Sequence, residues 1–302
     1  MQSRLNLIVP ATSANLGPGF DCLGLALGLY NKIQITPANI TSVQIIGEGE
    51  QYLKLKVDNV FVKIFSQILE RYDRQARCKF LFENTIPVSR GLGSSSAVIV
   101  SAIYAALKYM GEPIDKQKIL NLAIEYENHP DNITPATFGG FNVAILEHYG
   151  SKIQTQNVVH IRADIPDSLR AVVAIPTQSI STKHSRRSLP KLYKLKDCVF
   201  NLSHSSLLSA AFLQGDWEKL RLASRDRIHQ NTRMKALPML FALQRTALEN
   251  GALLSTLSGS GSSFLNICYK DDAHNLARTL EQNFPKCRIL TLGFDNLGVR
   301  EF

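Results

Sequence analysis

Apolar residues along the chain follow two periods, and glycine-rich breaks mark where one gives way to the other. Residues 32–36 and 42–46 alternate apolar and polar positions, the pattern of half-buried strands. Val60, Phe61, Ile64, Phe65, Ile68 and Leu69 instead recur at helical spacing, with Asp58 placed as the N-cap. Residues 94–110 are apolar on most faces, which predicts a buried helix closed by Gly111 at its C′ position. Asp115 caps a further helix running toward Glu127. Apolar runs predict strands at 6–10, 79–88, 141–146, 157–161, 170–175, 253–258, 264–268 and 287–293. Helical spacing covers 192–249, broken near Gly215 and before Ala236, ended by Gly251, and returns at 272–284. Strands and helices mixed without strict βαβ alternation predict an α+β protein of two halves. The polar segment 147–152 is the expected boundary, giving domains 1–150 and 151–302.

Three of the breaks hold more glycine and serine than a connection needs. They read PATSANLGPGFDCLG at 10–24, PVSRGLGSSSA at 87–97 and TLSGSGSS at 256–263. The second joins a predicted strand to the buried helix, which is a physical recipe for binding phosphate. Glycine lets the backbone approach an anion closely. The first helical turn offers unpaired N–H groups and the positive end of the dipole. Serine hydroxyls add donors, or an oxygen ligand for Mg2+. No lysine follows the glycines and position 96 is serine, so neither the P-loop nor the dinucleotide fingerprint applies. The ordinary alternative for this segment alone is a turn that caps a core helix.

Composition narrows the class without choosing it. Among 302 residues, 45% are hydrophobic and 20% charged, as in a globular protein with a sizeable core. The net charge of +9 suits small anions, an anionic membrane surface or nucleic acid, but the basic residues cluster only at 183–187. Five dispersed cysteines with no CxxC pair fit neither a disulfide framework nor a zinc site. The N-terminus lacks the order of a signal peptide, and the longest near-apolar run, 97–107, is far below the roughly 20 residues of a membrane helix. A cytoplasmic protein with no membrane or nucleic-acid partner is expected.

Taken together, the three segments resemble the GHMP kinase family, whose first, second and third motifs they match in order and with family-like spacing over essentially the whole chain. Within it the likeness is to kinases of homoserine, carried by PATSANLGPGFDCLG, by His129-Pro130-Asp131-Asn132 before Gly139-Gly140, by Thr182 with Arg186 and Leu189-Pro190, and by Asp226 to His229 leading to Arg233. The resemblance implies an N-terminal domain like the second domain of ribosomal protein S5, a C-terminal ferredoxin-like α/β-plait, and a homodimer. It also implies transfer of phosphate from ATP, with Mg2+, to the side-chain hydroxyl of L-homoserine, a step toward threonine.

The site residues are implied in the same way. Pro87, Val88, Ser89, Arg90, Gly91, Leu92, Gly93, Ser94, Ser95, Ser96 and Ala97, with Gly259, Ser260 and Gly261, would hold ATP. Ser95 and Glu127 would hold the metal, with Glu125 the nearby alternative. Arg186 and Arg233 would clamp the substrate carboxylate, Asp21 its ammonium, and Asn15 and Thr182 would complete the pocket; arginine forks suit carboxylates chemically. Asn132 occupies the place of the aspartate taken as the base in mevalonate kinase, and an amide cannot accept a proton. His129 and Asp131 are then the nearest titratable groups, and transfer would rest on positioning and charge neutralisation. A sugar or isoprenoid kinase, which would have no use for the arginine pair with Asp21, and an RNA-binding protein are the competing readings.

Overall fold

A computed structural model describes residues 4–148, 156–178 and 182–302. The strands are β1 (Leu5–Ala14), β2 (Leu23–Pro37), β3 (Ser42–Gly47), β4 (Cys78–Asn84), β5 (Phe141–His148), β6 (Gln156–Ala163), β7 (Leu169–Pro176), β8 (Leu254–Leu257), β9 (Phe264–Tyr269), β10 (Cys287–Leu292) and β11 (Arg300–Glu301). The α-helices are α1 (Leu53–Val57), α2 (Val60–Glu70), α3 (Ser94–Met110), α4 (Lys116–Ala123), α5 (Pro130–Phe138), α6 (Thr182–Arg187), α7 (Leu195–Gln214), α8 (Leu220–Ala223), α9 (Gln230–Met234), α10 (Met239–Glu249) and α11 (Ala273–Asn283).

Two sheets organise these elements. The first runs β11-β1-β2-β4-β3, with β5 and β6 added at the far end of β2. The second is antiparallel, in the order β10-β7-β9-β8. Helix α3 packs against β1, α2 and α5 and buries nearly its whole middle, as its all-round apolar sequence requires. Alternation divides the second sheet between two cores. Ala171, Val173 and Ile175 of β7 join the main core, whereas Val172 and Ala174 pack with Leu240, Leu243, Leu276 and Leu280 of α10 and α11.

Several expectations needed adjustment. Helix α2 is capped by Asn59, whose side chain accepts from the Val62 N–H at 3.1 Å, while Asp58 pairs with Lys63. Strand β1 continues to Ala14, so the first motif leaves the strand only at Asn15. Helix α4 stops at Ala123, short of Glu127. Residues 130–138 form a helix that the sequence concealed, because Pro130 and Pro135 read as breakers; Pro130 occupies the first turn, where no N–H is missed. The division at 150 falls between β5 and β6, which pair as neighbours, and the first sheet also takes in β11, so its strands come from both sides of that division. The expected boundary segment lies largely outside the described residues.

Candidate active site

The three glycine-rich segments meet at one point. Gly91 and Gly93 adopt φ of 79° and 66°, conformations that glycine enters freely. A Cβ on Gly93 would stand 1.9 Å from Thr12 Oγ1, and one on Gly91 would stand 2.2 Å from the Ser258 carbonyl oxygen. The first and third motifs thus press directly on the second. Hydrogen bonds close the junction. Ser258 Oγ donates to the Gly91 carbonyl at 2.7 Å, the Ser263 N–H donates to the Arg90 carbonyl, and the Thr12 N–H donates to the Leu92 carbonyl. No side chain caps α3, so its first-turn N–H groups remain open.

This junction forms the waist of a cleft of ≈ 350 Å³. One end is an apolar slot lined by Ile45, Leu55, Phe61, Phe82, Val88 and Val98, with Asn31, Asn59 and Asn84 at its margins. Its flat apolar walls suit a purine base. The other end is polar, lined by Asn15, Asp21, His129, Asp131, Arg186 and Arg233. Asn15 and Asp21 have φ of 69° and 58°, and Asn15 ties the loop together by accepting from the Asp21 N–H and donating to the Gly259 carbonyl.

Opposite charges are arranged tightly at the polar end. Arg186 donates to Asp21 at 2.7 Å, and His129 lies 3.8 Å from the same carboxylate. Burial lowers the pKa of His129, partly offset by Asp21. Arg233 is 3% exposed and donates to the Gly259 carbonyl and to His229 Nδ1. Burial and the neighbouring Arg186 bring its pKa down to about 10, so it stays charged at neutral pH. His229 in turn sets Nε2 against the Gly17 carbonyl at 2.7 Å, which assigns the proton to Nε2 and the lone pair to Nδ1. Asp226 caps this turn by accepting from the N–H groups of Ile228, His229 and Gln230.

Two further carboxyls line the cleft, Glu127 half-buried and Asp131 buried. Glu127 accepts from Ser96 Oγ at 2.6 Å, and burial raises its pKa. Asp131, in the first turn of α5, has its pKa pushed up to about 8 by burial, with Asp21 and Glu127 adding to the shift. Glu127 is shifted by burial with only a serine hydroxyl to offset it, an arrangement that a divalent cation relieves. Among the described residues no group of three or more His, Cys, Asp or Glu side chains is placed to hold a metal unaided. Asn132 accepts from Thr12 Oγ1 at 2.7 Å, which places its amide beside the phosphate loop.

The expected residues assemble with a few differences. Val88 to Ser96, Gly259 and Ser260 line the cleft, whereas Pro87, Ala97 and Gly261 do not. The hydroxyl on Glu127 belongs to Ser96, and Ser95 is exposed toward the cleft. Glu125 is bound to Arg71 at 2.6 Å on the surface, away from the loop. Thr182 opens α6, and its side chain lies outside the described residues. Sequence reasoning missed the apolar slot, and it quoted Thr12, Phe20 and His229 within matched segments without giving them a role in the site. Of the slot, the sequence marked Phe61 only as one apolar position of a helix.

Comparison with known proteins identifies the family. Residues 59–140 match the GHMP kinases N terminal domain, and residues 208–286 match the GHMP kinases C terminal domain. A homoserine kinase of Helicobacter hepaticus is 60% identical over 292 residues, covering 96% of this chain and 97% of that protein. One from Wolinella succinogenes is 54% identical, covering 98% of this chain and 99% of that protein. The crystal structure of a homoserine kinase from Cytophaga hutchinsonii superimposes with a TM-score of 0.86 at 24% identity, covering 100% of this chain and 98% of that one. A mevalonate kinase structure reaches a TM-score of 0.69 at 14% identity, covering 97% and 99% of the two chains. A shared two-sheet fold, the three converging motifs and these full-length relatives place the chain among the homoserine kinases of the GHMP kinase family.

Proposed function

We infer that this enzyme transfers the γ-phosphoryl group of ATP to the side-chain hydroxyl of L-homoserine, giving O-phospho-L-homoserine and ADP on the way to threonine. One observation carries the reading. A single cleft joins an apolar slot, an open helix N-terminus and a polar end holding Asp21 with two arginines. The base would occupy the slot and the triphosphate would cross residues 89–96, with Gly259 and Ser260 opposite. The terminal phosphate would then face the amino acid. Arg186 and Arg233 supply the fork for its carboxylate, Asp21 attracts its ammonium, and Asn15 borders the pocket, with Thr182 assigned to the substrate by resemblance.

Chemistry in this arrangement depends on positioning and electrostatics. The substrate oxygen attacks the γ-phosphorus, the bond to the departing ADP oxygen breaks, and the hydroxyl proton passes to water or to a phosphate oxygen. Asn132 serves as a hydrogen-bonding group, since a neutral amide cannot take that proton. His129 and Asp131 are the titratable groups nearest the acceptor, and we assign them to substrate binding and local charge balance. The half-buried Glu127, with Ser96 or Ser95, would be the place for Mg2+, which takes few protein oxygens and keeps phosphates and waters for the rest. When bound, it would neutralise charge on the phosphates.

The direct test is ADP release measured across homoserine, serine, threonine and mevalonate, with homoserine expected to be strongly preferred. Arg233→Leu should raise KM for homoserine by roughly tenfold or more while sparing KM for ATP, since a charge-assisted hydrogen bond is worth about 1.5–3 kcal/mol. Unchanged homoserine kinetics would remove Arg233 from the substrate site. Substituting Ser95, Ser96 and Glu127 singly while titrating Mg2+ identifies the metal ligands. We further propose a cytoplasmic homodimer with no nucleic-acid role, which fractionation and light scattering would check; no helix among the described residues is long and apolar enough to cross a membrane.

A further inference from the structure

Phe20 stands between the two arginines at the polar end of the cleft. The Arg186 guanidinium lies 5.2 Å from its ring centroid and the Arg233 guanidinium 5.1 Å. The His229 imidazole tilts against the same ring at 5.1 Å. An aromatic face attracts cations through its quadrupole, and more strongly where water is excluded. Arg233 meets that condition, being almost wholly buried.

The other anchors of the two arginines are separate. Arg186 is fixed by Asp21, and Arg233 by the Gly259 carbonyl and His229 Nδ1. Phe20 therefore lies against both cations, two like charges that share one end of the cleft. We propose that Phe20 is a positioning residue that holds Arg186 and Arg233 as a fixed pair for the substrate's α-carboxylate, so that preference for the acid over an uncharged analogue depends on the face of this ring. The inference rests on the assignment of the two arginines to the carboxylate made above. A residue that merely filled space under the loop would be replaceable by any apolar side chain of similar bulk.

The test compares Phe20→Leu, which keeps apolar bulk, with Phe20→Tyr, which keeps the ring. Each variant is assayed with L-homoserine and with its carboxamide. Phe20→Leu should raise KM for homoserine about tenfold, in line with loss of two cation–π contacts, and leave KM for ATP, kcat and carboxamide kinetics in place. Phe20→Tyr should behave like the parent. Equal losses on acid and amide, no loss at all, or a tyrosine variant as impaired as the leucine one would overturn the proposal. If the leucine variant folds poorly, a ring-fluorinated phenylalanine at position 20 keeps the shape and weakens the negative face. KM for homoserine should then climb with fluorination, and a flat response would overturn the proposal. Arg233→Leu in the same assay tests the underlying assignment independently. If the acid-over-amide preference survives that change, Arg233 does not read the carboxylate, whatever Phe20 does.

Discussion

Asp131 shows how a residue can be costly to the free protein and still suit its site. It is 4% exposed, its carboxyl accepts from the Asn132 amide at 3.3 Å, and burial, with Asp21 and Glu127 adding to it, pushes its pKa up to about 8. The unfolded chain would release this proton near the ordinary value of 3.8. Between those values the folded state holds a proton that the unfolded state lacks, so rising pH favours unfolding. Its favourable contribution is therefore complete below about pH 3.8 and is lost as pH rises through about 8. Asp131→Asn removes the titration. The variant's melting temperature should gain on the parent as pH rises toward 8, by at most about 1.4 kcal/mol of stability per pH unit, and the difference should level off above it. A pH-independent difference between the two proteins would contradict this account.

At the scale of elements, the loop between β4 and α3 was the most legible part of the chain and the apolar slot the least. Glycines at 91 and 93 announce themselves, since only glycine enters φ near 79° and 66° without strain while tolerating atoms near 2 Å from a virtual Cβ. Gly93→Ala should therefore lower the melting temperature and raise KM for ATP by an order of magnitude or so, with little change in KM for homoserine. Steady-state kinetics varying each substrate would check it, and an unaltered KM for ATP would mean that this loop does not hold phosphate. The slot gave no comparable signal. Ile45, Leu55, Phe61, Phe82, Val88 and Val98 come from six places on different strands, helices and loops, and each reads as an ordinary core residue until the fold brings them together. Helix α5 was hidden for another reason, since its two prolines outweighed local periodicity. Phe20 was missed because a lone aromatic beside Asp21 carries no pattern, and its meaning lies in the arginines at 186 and 233 that fold against it.

The larger of the two cores takes in side chains of both sheets, and this decides how the whole molecule should unfold. Leu7 and Leu25 of the first sheet, Val173 and Leu265 of the second, and Leu208 and Phe212 of α7 belong to the same buried cluster. The C-terminal segment adds a suture. The carboxylate of Asp295 is 2% exposed and takes hydrogen bonds from Tyr30, Arg300 and the backbone of Leu297 and Gly298, while the Val299 N–H donates to the Ala136 carbonyl of α5. The last strand thereby closes onto the helix that carries Asp131 and Asn132. Halves sharing one core and one such clasp cannot melt separately without exposing apolar surface on both sides. Calorimetry should show one cooperative transition, whereas two resolved transitions would mean that the halves are independent. Asp295→Ala leaves the half-buried Arg300 with the Gly298 carbonyl and takes the acceptor from Tyr30 and from the Leu297 and Gly298 N–H groups, and each buried donor left unanswered costs about 1–3 kcal/mol. That variant should keep a single transition at a markedly lower temperature, because the clasp belongs to the same cooperative unit as the core. If only a minor, early transition appeared and the main one stayed in place, the C-terminal segment would be an appendage rather than a part of the unit that positions the active site.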